Sequence, residues 1–275
     1  FITQPAISKH IKLLEFNYKS PLFDRKGNSI ALTPTGEILY RHLQEALQIQ
    51  RQIRFEISTL QNNADAIGQL KLGASTTIAL YILPKILSGF HRQYPKLEIQ
   101  LMNRNSENIT TALLNNQIDI GIIEVEHKIT SIAYQPFMTD EIIPVCAANS
   151  PIARLKTINI HDLPQYPIAL RERGSGTLSA LTLALQKHHL NITDLNVKVR
   201  LGGTEALKNF LLADPSMGFL PHKSVLKELA AGELRALDIQ GLEIKRNFFF
   251  IQRQGTEEFP ISKHFMRFAK SHYNH

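Results

Sequence analysis

The chain has 275 residues, of which 43% are hydrophobic and 20% are charged, so it is long enough for two or three domains with sizeable cores. The formal net charge of +7 permits nucleic-acid binding without establishing it. No apolar run of about 18 residues is present, which excludes a helical membrane span, and no signal peptide is visible. We therefore expect a cytoplasmic protein. Its single cysteine, Cys146 in the run IIPVCAA, is expected to be a buried strand residue, with a redox sensor as the alternative.

An amphipathic helix with a cationic face is predicted for TQPAISKHIKLLE, from Thr3 to Glu15. Thr3 is predicted to cap this helix with its hydroxyl, and Gln4 and Pro5 suit its first turn. An apolar stripe recurs at helical spacing: Ile7, Ile11 and Leu14. Polar and cationic side chains lie off that stripe: Gln4, Ser8, Lys9 and Lys12. Such a face suits a DNA major groove, because Gln reads adenine and Lys takes guanine or phosphate, although an ordinary surface helix has the same pattern.

A β-hairpin with a basic tip is predicted for PLFDRKGNSIALT, from Pro21 to Thr33. Phe23 and the apolar run at 30–32 flank a Lys-Gly-Asn-Ser turn at Lys26–Ser29. A cationic helix followed by a basic hairpin is typical of a winged helix-turn-helix. In that arrangement Arg25 and Lys26 would lie near the DNA backbone or the minor groove.

Three blocks of this region, ITQPAISKHIKLLE, PLFDR and IALTPTGE, resemble the DNA-binding domain of LysR-type transcriptional regulators in their order and spacing. The resemblance implies a partial winged helix-turn-helix domain over residues 1–33. It also implies the DNA contacts: Thr3, Gln4, Pro5, Ser8, Lys9, Lys12, Arg25 and Lys26. In that family two more helices precede the recognition helix. We therefore expect that about twenty residues are missing before Phe1-Ile2, which we interpret as the last pair of the motif's turn.

A long helix with a heptad seam is predicted next, over residues 34–62. The seam consists of apolar residues at spacings of four, three and seven: Leu39, Leu43, Ala46, Ile53, Ile57 and Leu60, with Gln50 at the polar position. A helix of roughly 27 residues is about 40 Å long, which one small neighbour would not easily cover. We interpret it as a dimerisation helix, as the resemblance also implies, and a helix packed on its own domain is the alternative. The polar stretch QNNADAIG, 61–68, is predicted to be a linker.

Strands and helices alternate from residue 68 onward, which predicts an α/β domain with a mainly parallel sheet. The first unit has three predicted strands: Leu70–Ala74, Leu97–Leu101 and Ile118–Ile123. The second unit has three more: Pro167–Leu170, Val197–Leu201 and Met217–Leu220. Both units open with a strand, a turn rich in Ser and Thr, and a helix. We therefore expect two α/β units of similar construction.

Two such units resemble the periplasmic-binding-protein-like effector domain of the LysR family, which has two lobes. The best matches are Leu-Pro at 83–84, IDIG at 118–121 and RERGSGT at 171–177. The resemblance implies an effector-binding domain over residues 68–275, with lobe I at 68–141 and 247–275 and lobe II at 142–246. Two apolar strands, Ile142–Ala148 and Asn247–Gln252, are expected to cross between the lobes. The last helix, Pro260–Tyr273, is expected to return to lobe I.

Small hydroxyl residues follow corresponding strands of the two units and mark the predicted effector site. Ligands of open α/β sheets bind beyond the carboxyl ends of strands, and helix N-termini attract anions. We therefore expect a small anionic metabolite near these residues: Ser75, Thr76, Thr77, Asn105, Ser106, Ser175, Gly176, Thr177 and Thr204. Arg171 or Arg173 could supply a counter-charge, whereas Glu124 would oppose an anion or meet a cationic part of the effector. The alternative is that the hydroxyls only cap helices.

No constellation of catalytic residues is recognisable in the sequence. The Gly-Ser-Gly at 174–176 is neither a nucleophile elbow nor a P-loop, and no Cys/His cluster has metal-ligand spacing. We therefore expect no enzyme, cofactor or metal. The predicted protein is a LysR-type regulator that binds double-stranded promoter DNA as a homodimer or homotetramer, with contacts switched by an effector between the lobes. A solute-binding protein, or an enzyme on the same two-lobed fold, is the alternative.

Overall fold

The structure, a computed structural model, describes residues 3–26, 29–60, 66–124, 128–256 and 259–273, with the backbone alone for residues 25 and 26. The chain divides into two compact units, Phe1–Arg54 and Phe55–His275. Three predicted features lie outside the described residues: the Phe1-Ile2 pair, the hairpin tip at 27–28, and most of the linker, at 61–65. No helix in the described ranges is long and apolar enough to cross a membrane.

The first unit contains a helix, a hairpin and most of a second, longer helix. Its elements are α1 (Gln4–Tyr18), β1 (Phe23–Lys26), β2 (Ser29–Leu32) and α2 (Pro34–Thr59). β1 and β2 pair antiparallel, with Phe23 opposite Leu32 and Lys26 opposite Ser29, which confirms the predicted hairpin. Thr3 precedes α1, but its hydroxyl makes no capping hydrogen bond, so that prediction is wrong. An N-cap hydroxyl bonds the second or third N–H of the helix, and Pro5, the second residue, has none.

The corner at Leu22 is held tightly against the start of α2. Leu22 is buried, and its N–H donates to Glu15 Oε1 at 2.9 Å. Its carbonyl oxygen accepts from the Thr33 N–H at 3.0 Å, and the Gly36 N–H donates to Thr33 Oγ1 at 3.0 Å. A Cβ at Gly36 would lie 2.1 Å from the Leu22 carbonyl oxygen, so only glycine fits there. These contacts explain two residues of the IALTPTGE block. Thr33 caps α2, and Gly36 has no side chain to clash with the Leu22 carbonyl group.

The heptad seam of α2 lies on the surface of the chain. Leu43, Ile53 and Ile57 are 48%, 52% and 63% exposed, and Gln50 is exposed between them. Phe55 lies about opposite Ile53 and Ile57 on the helix, and it is buried in the second unit. A large apolar seam left in water is unfavourable. The seam is thus available to a partner, and the alternative of a helix covered by its own domain applies only to the face that carries Phe55.

The second unit begins with strands and helices that alternate as predicted. Its first elements are β3 (Gly68–Ser75), α3 (Leu83–Gln93), β4 (Leu97–Arg104), α4 (Ser106–Leu114), β5 (Ile120–Glu124) and the long β6 (Ile132–Ala147). A π-helical segment, Ile78–Ile82, precedes α3. The sequence did not predict this segment.

The remaining elements repeat the pattern and then return along the sheet. They are β7 (Ile158–Asn159), β8 (Ile168–Arg171), α5 (Gly176–Gln186), β9 (Val197–Leu201), α6 (Thr204–Ala213), β10 (Met217–Pro221), α7 (Leu226–Ala231), β11 (Leu234–Ala236), β12 (Ile239–Gln240), β13 (Ile244–Arg253) and α8 (Pro260–Tyr273). β9 and α8 have the predicted bounds.

One nine-stranded sheet runs through the second unit in the order β4-β3-β5-β13-β6-β10-β8-β9, with β11 paired to β6. We call the part around β3, β4 and β5 lobe I and the part around β8, β9 and β10 lobe II. Strands are parallel within each lobe. β6 and β13 run antiparallel to each other and cross from one lobe to the other. The sheet is therefore mixed and not mainly parallel, because one connection leaves lobe I and the other returns to it.

Both crossing strands are longer than predicted. β6 starts at Ile132 and not at Ile142, and β13 extends from Ile244 to Arg253. The predicted lobe boundaries at 141/142 and 246/247 stay predictions, since both strands continue through them. Cys146 lies in β6, fully buried, and burial raises the pKa of its thiol, as expected for a strand residue of the core.

Candidate functional site

Two helix starts, one in each lobe, supply buried hydroxyl groups to one place. In lobe I, Ser75 is the last residue of β3 and Thr77 comes two residues later, and both are buried. In lobe II, Ser175 and Thr177 begin α5 after β8, and both are buried too. Polar side chains are seldom buried without a hydrogen-bonding reason. Thr76, between the two buried residues of lobe I, is half-buried.

Arg246, on β13, joins the two lobes at this place. It is 6% exposed. Its Nη2 donates to Thr77 Oγ1 at 3.0 Å and its Nη1 donates to Thr177 Oγ1 at 3.0 Å, so one guanidinium bonds a hydroxyl from each lobe. The guanidinium carbon lies 4.7 Å from the centre of the Phe248 ring, which supports it from one side. The predicted hydroxyls Thr77 and Thr177 are therefore brought together, by a residue that the sequence did not single out.

Two carboxylates complete the hydrogen bonds of this guanidinium. Asp140, on β6, accepts from Arg246 Nη2 at 2.7 Å and from Nε at 3.1 Å. Glu124, at the end of β5, accepts from Nη1 at 2.5 Å and from the Ser106 hydroxyl at 2.5 Å. We call Arg246, Glu124, Asp140, Thr77 and Thr177 the arginine cluster. With all its ionisable groups charged, it holds one positive and two negative charges, a net of −1.

The two lobes approach closely beside Glu124. A Cβ at Gly176, the first residue of α5, would lie 2.4 Å from the Glu124 carboxyl carbon. A Cβ at Gly174 would lie 2.3 Å from Glu107 Oε2, and its φ of +79° is itself favourable only for glycine. The glycines of the predicted Gly-Ser-Gly turn thus permit lobe II to contact the acidic side chains of lobe I.

Two cavities border this contact. The first, of about 800 Å³, is lined by Arg246 and Phe249 together with residues of α5. The second, of about 610 Å³, is lined by Ser106 and Arg173 together with residues of α4. Glu124 and Gly176 line both. Pockets of several hundred cubic ångströms suit a small metabolite.

Other predicted site residues lie apart from the arginine cluster. Arg171 donates from Nε and Nη2 to Glu172 at 2.8 and 2.9 Å and from Nη1 to Thr204 at 2.8 Å, all within lobe II. Burial opposes ionisation of Glu172, but Arg171 and backbone N–H groups hold the pKa of this carboxyl below its usual value. Asn105 caps α4, because its side-chain oxygen accepts from the Asn108 N–H at 2.9 Å. Arg171 is therefore occupied inside lobe II, and Arg173 lies at the second cavity.

Ser75 differs from the other hydroxyls. Its Oγ is buried, and among the described residues it has no hydrogen-bond partner. A buried hydroxyl without a partner costs free energy, so this donor is suited to a ligand at the end of β3.

Arg246 and Asp140 are not among the site residues predicted from the sequence. The sequence does carry a signal for them: each is a charged residue near the start of one of the two apolar runs predicted to cross between the lobes, and the two charges are opposite. The strand register places the two residues directly across from each other. Opposite charges on neighbouring crossing strands can therefore indicate an ion pair between them.

A second contact joins the lobes at the π-helical segment. The Tyr81 hydroxyl donates to Glu205 of α6. Glu205 also pairs with Lys208 at 3.0 Å, and Lys208 pairs with Glu228 at 2.8 Å. Burial of Lys208 opposes its charge, but the two glutamates raise the pKa of its ammonium group above the usual value. The bond between Tyr81 and Glu205 therefore joins the lobes here, and the ion pairs of Lys208 hold Glu205 in place.

The predicted DNA-binding residues form an accessible face of α1. Thr3, Gln4, Pro5, Lys9 and Lys12 are exposed, and Ser8 is half-buried. Gln4 Nε2 donates to Ser8 Oγ at 3.0 Å. Arg25 and Lys26 lie on β1, and their side chains lie outside the described part of the chain. No residue of α1 is buried, so its apolar stripe is accessible as well.

Comparison with known proteins gives matches over nearly the whole chain. Residues 1–37 match the family model "Bacterial regulatory helix-turn-helix protein, lysR family", and residues 63–274 match "LysR substrate binding domain". The HTH-type transcriptional regulator CysL of Bacillus subtilis is 30% identical over 272 residues, which is 99% of this chain and 89% of CysL.

Solved structures agree with the sequence matches. The regulatory domain of CcmR from Synechocystis PCC6803, in complex with 2-PG, is 28% identical, with a TM-score of 0.66 over 74% of this chain and 96% of that one. A full-length OxyR variant from Pseudomonas aeruginosa shares the fold, with a TM-score of 0.74 and 19% identity over 98% of this chain and 85% of that one.

Proposed function

The chain belongs to the LysR family of transcriptional regulators, and on that premise we propose that a small anion bound between lobes I and II switches its contacts with DNA. The observation that carries this proposal is Arg246, a buried cation that bonds Thr77 of lobe I and Thr177 of lobe II. A ligand that changes these bonds changes the relation between the lobes. Such differential contact is what a ligand needs to shift a conformational equilibrium.

An anion is favoured by the groups around Arg246. Thr77 and Thr177 lie at helix starts, where backbone N–H groups and the helix dipole favour negative charge. Ser75 adds a buried hydroxyl without a partner among the described residues. The CcmR regulatory domain is described with 2-PG, and we take that compound as the first effector to test. Arg246 replaces Arg171 as the counter-charge in this proposal, because Arg171 is bonded to Glu172 and Thr204.

On the DNA side, we propose that α1 enters the major groove with Gln4, Pro5, Ser8 and Lys9 toward base edges or backbone, and with Thr3 and Lys12 beside them. Arg25 and Lys26 would contact DNA from the hairpin. Several Lys and Arg contacts to phosphate make the affinity fall steeply as salt rises. The exposed seam of α2 would pair two chains into a homodimer, and a homotetramer is the alternative assembly. We propose a cytoplasmic regulator without enzymatic activity.

The test measures DNA binding and effector response together. Fluorescence anisotropy with labelled promoter DNA, using the protein encoded by the complete gene, is expected to show salt-dependent binding that 2-PG alters. Arg246→Gln is expected to retain DNA binding and to lose the response. Arg235→Gln, an exposed position on β11, is the matched control, with both properties unchanged. A protein that is monomeric in gel filtration and retards no DNA at low salt would refute the proposal.

A further inference from the structure

Glu124 holds the position on Arg246 that an incoming anion needs. We propose that the Glu124 carboxylate is a built-in competitor of the effector, and that an oxyanion of the effector, a carboxylate or a phosphate, displaces it from Arg246. This inference rests on the proposed function, since it assumes an anion between the lobes. It adds the group that the anion replaces and the resting state of the site.

Arg246 has no donor to spare in the structure. A guanidinium carries five N–H donors. One goes from Nε to Asp140, two go from Nη1 to Glu124 and Thr177, and two go from Nη2 to Asp140 and Thr77. An oxyanion can therefore bind the guanidinium only if one of these partners leaves.

Glu124 is the partner that can leave. Asp140 takes two of the five bonds and lies directly across from Arg246 in the ladder between β6 and β13. Glu124 takes one bond, lies at the last residue of β5, and lines both cavities. Asp140 lines neither of these two cavities. Glu124 lies at the end of its ladder and its side chain borders two cavities, so its carboxylate has room to rotate, whereas Asp140 lies inside the ladder between β6 and β13 and borders neither cavity.

The charge of the cluster leads to the same conclusion. An added monoanion would change its net charge from −1 to −2 if Glu124 stayed in place, and like charges in a partly desolvated site repel strongly. If Glu124 leaves, the oxyanion replaces one carboxylate by another negative group, and the net charge of the cluster stays at −1. Displacement also provides hydrogen bonds, because Arg246 Nη1 and the Ser106 hydroxyl both lose their acceptor when Glu124 leaves.

The displacement would change contacts in both lobes. Glu124 accepts from Ser106 at the start of α4 in lobe I, and it lies against Gly176 at the start of α5 in lobe II. Replacing its carboxylate by the effector's oxyanion therefore changes the contacts at the starts of both helices. In the resting protein the Glu124 carboxylate occupies the site, and the contacts around it change when the effector's oxyanion replaces this carboxylate on Arg246.

Isothermal titration of the intact protein with 2-PG and with inorganic phosphate tests the proposal. Glu124→Gln keeps the shape of the side chain and removes its charge, and it is expected to tighten binding of the oxyanion at least tenfold. Asp140→Asn is the matched comparison, because it removes the other carboxylate from the same guanidinium but leaves Glu124 on Arg246, and it is expected to tighten binding far less than Glu124→Gln does. Arg246→Gln is expected to weaken binding at least tenfold. Circular dichroism and cooperative unfolding confirm that each variant is folded.

Gly176→Ala is an independent variant for the same purpose. Its Cβ would lie 2.4 Å from the Glu124 carboxyl carbon and would crowd an oxyanion in the same position, so it is expected to weaken binding of both probes. Unchanged binding in Gly176→Ala would contradict the shared position. Gly176 has no positive φ, and alanine is a good helix former, so the backbone tolerates the change.

The outcomes separate this inference from the function it rests on. Equal tightening in Glu124→Gln and Asp140→Asn would show a general charge effect and overturn the inference. Unchanged or weaker binding in Glu124→Gln, while the wild type binds and Arg246→Gln does not, would also overturn it but leave the anion site in place. Failure of both probes to bind even Glu124→Gln would overturn the anion site itself.

Discussion

Removing the charge of Arg246 should destabilise the second unit strongly, because two buried carboxylates lose their partner. In Arg246→Met, the apolar chain is kept while all five hydrogen bonds are lost. Each carboxylate pair at about 4 Å is worth about 4 kcal/mol at an effective dielectric constant near 20, before the desolvation of the arginine is subtracted. Breaking a buried pair by removing one partner costs about 3–5 kcal/mol, and we expect a loss in that range.

The assay is urea unfolding at pH 7, followed by circular dichroism. A triple variant, Arg246→Met with Glu124→Gln and Asp140→Asn, removes the stranded charges and is expected to recover most of the loss. A loss below about 1 kcal/mol, or no recovery in the triple variant, would refute the reasoning.

Three further predictions concern other parts of the chain. Gly36→Ala should destabilise the first unit by about 2 kcal/mol or more, because its Cβ would lie 2.1 Å from the Leu22 carbonyl oxygen. Limited proteolysis of α1 and the hairpin measures this loss of stability. Resistance equal to that of the wild type would contradict the prediction. Burial and a nearby arginine lower the pKa of His264 in the folded protein. The free energy of unfolding should therefore decrease as the pH falls below about 6.5, the pKa of an unperturbed histidine, and through the lowered value. In His264→Gln the dependence of the unfolding free energy on pH should be weaker, and an unchanged dependence would count against this. Phe55→Ala should cost about 3–5 kcal/mol of unfolding free energy, whereas Ile57→Ala, at an exposed seam position, should leave that value within about 0.5 kcal/mol and instead weaken self-association in sedimentation experiments. Equal stability losses in the two variants would show that the seam is covered within one chain.

Features with a local cause could be predicted from the sequence. The hairpin, α2 and the bounds of β9 and α8 follow from hydrophobic period, turn residues and helix starts, each of which acts within a few residues. Thr3 shows the limit of this reasoning. Its type and position suit an N-cap, but the proline two residues later removes one of the N–H groups that the hydroxyl could bond.

The candidate site could be predicted in part, for a related reason. The sequence predicts Thr77 and Thr177 because each lies at a strand-to-helix turn, which is a local pattern, and both hydroxyls meet at Arg246. Arg171 is predicted because it lies beside such a turn, yet its guanidinium bonds Glu172 and Thr204 inside lobe II. The direction of a long side chain depends on the partners that the fold provides, and proximity along the chain does not settle it.

The family, the order of the elements and the amphipathic faces of α1 and α2 can be derived from residue type and short-range spacing alone. The charged groups that meet at the centre of the site cannot be derived in this way and follow from the three-dimensional fold. Arg246 is 69 residues from Thr177, 122 from Glu124 and 169 from Thr77, and it reaches all three at once. Contacts over such separations follow from the register of β6 and β13 and from the closure of the lobes. No periodicity along the chain encodes them, because hydrogen bonding and charge pairing act through space.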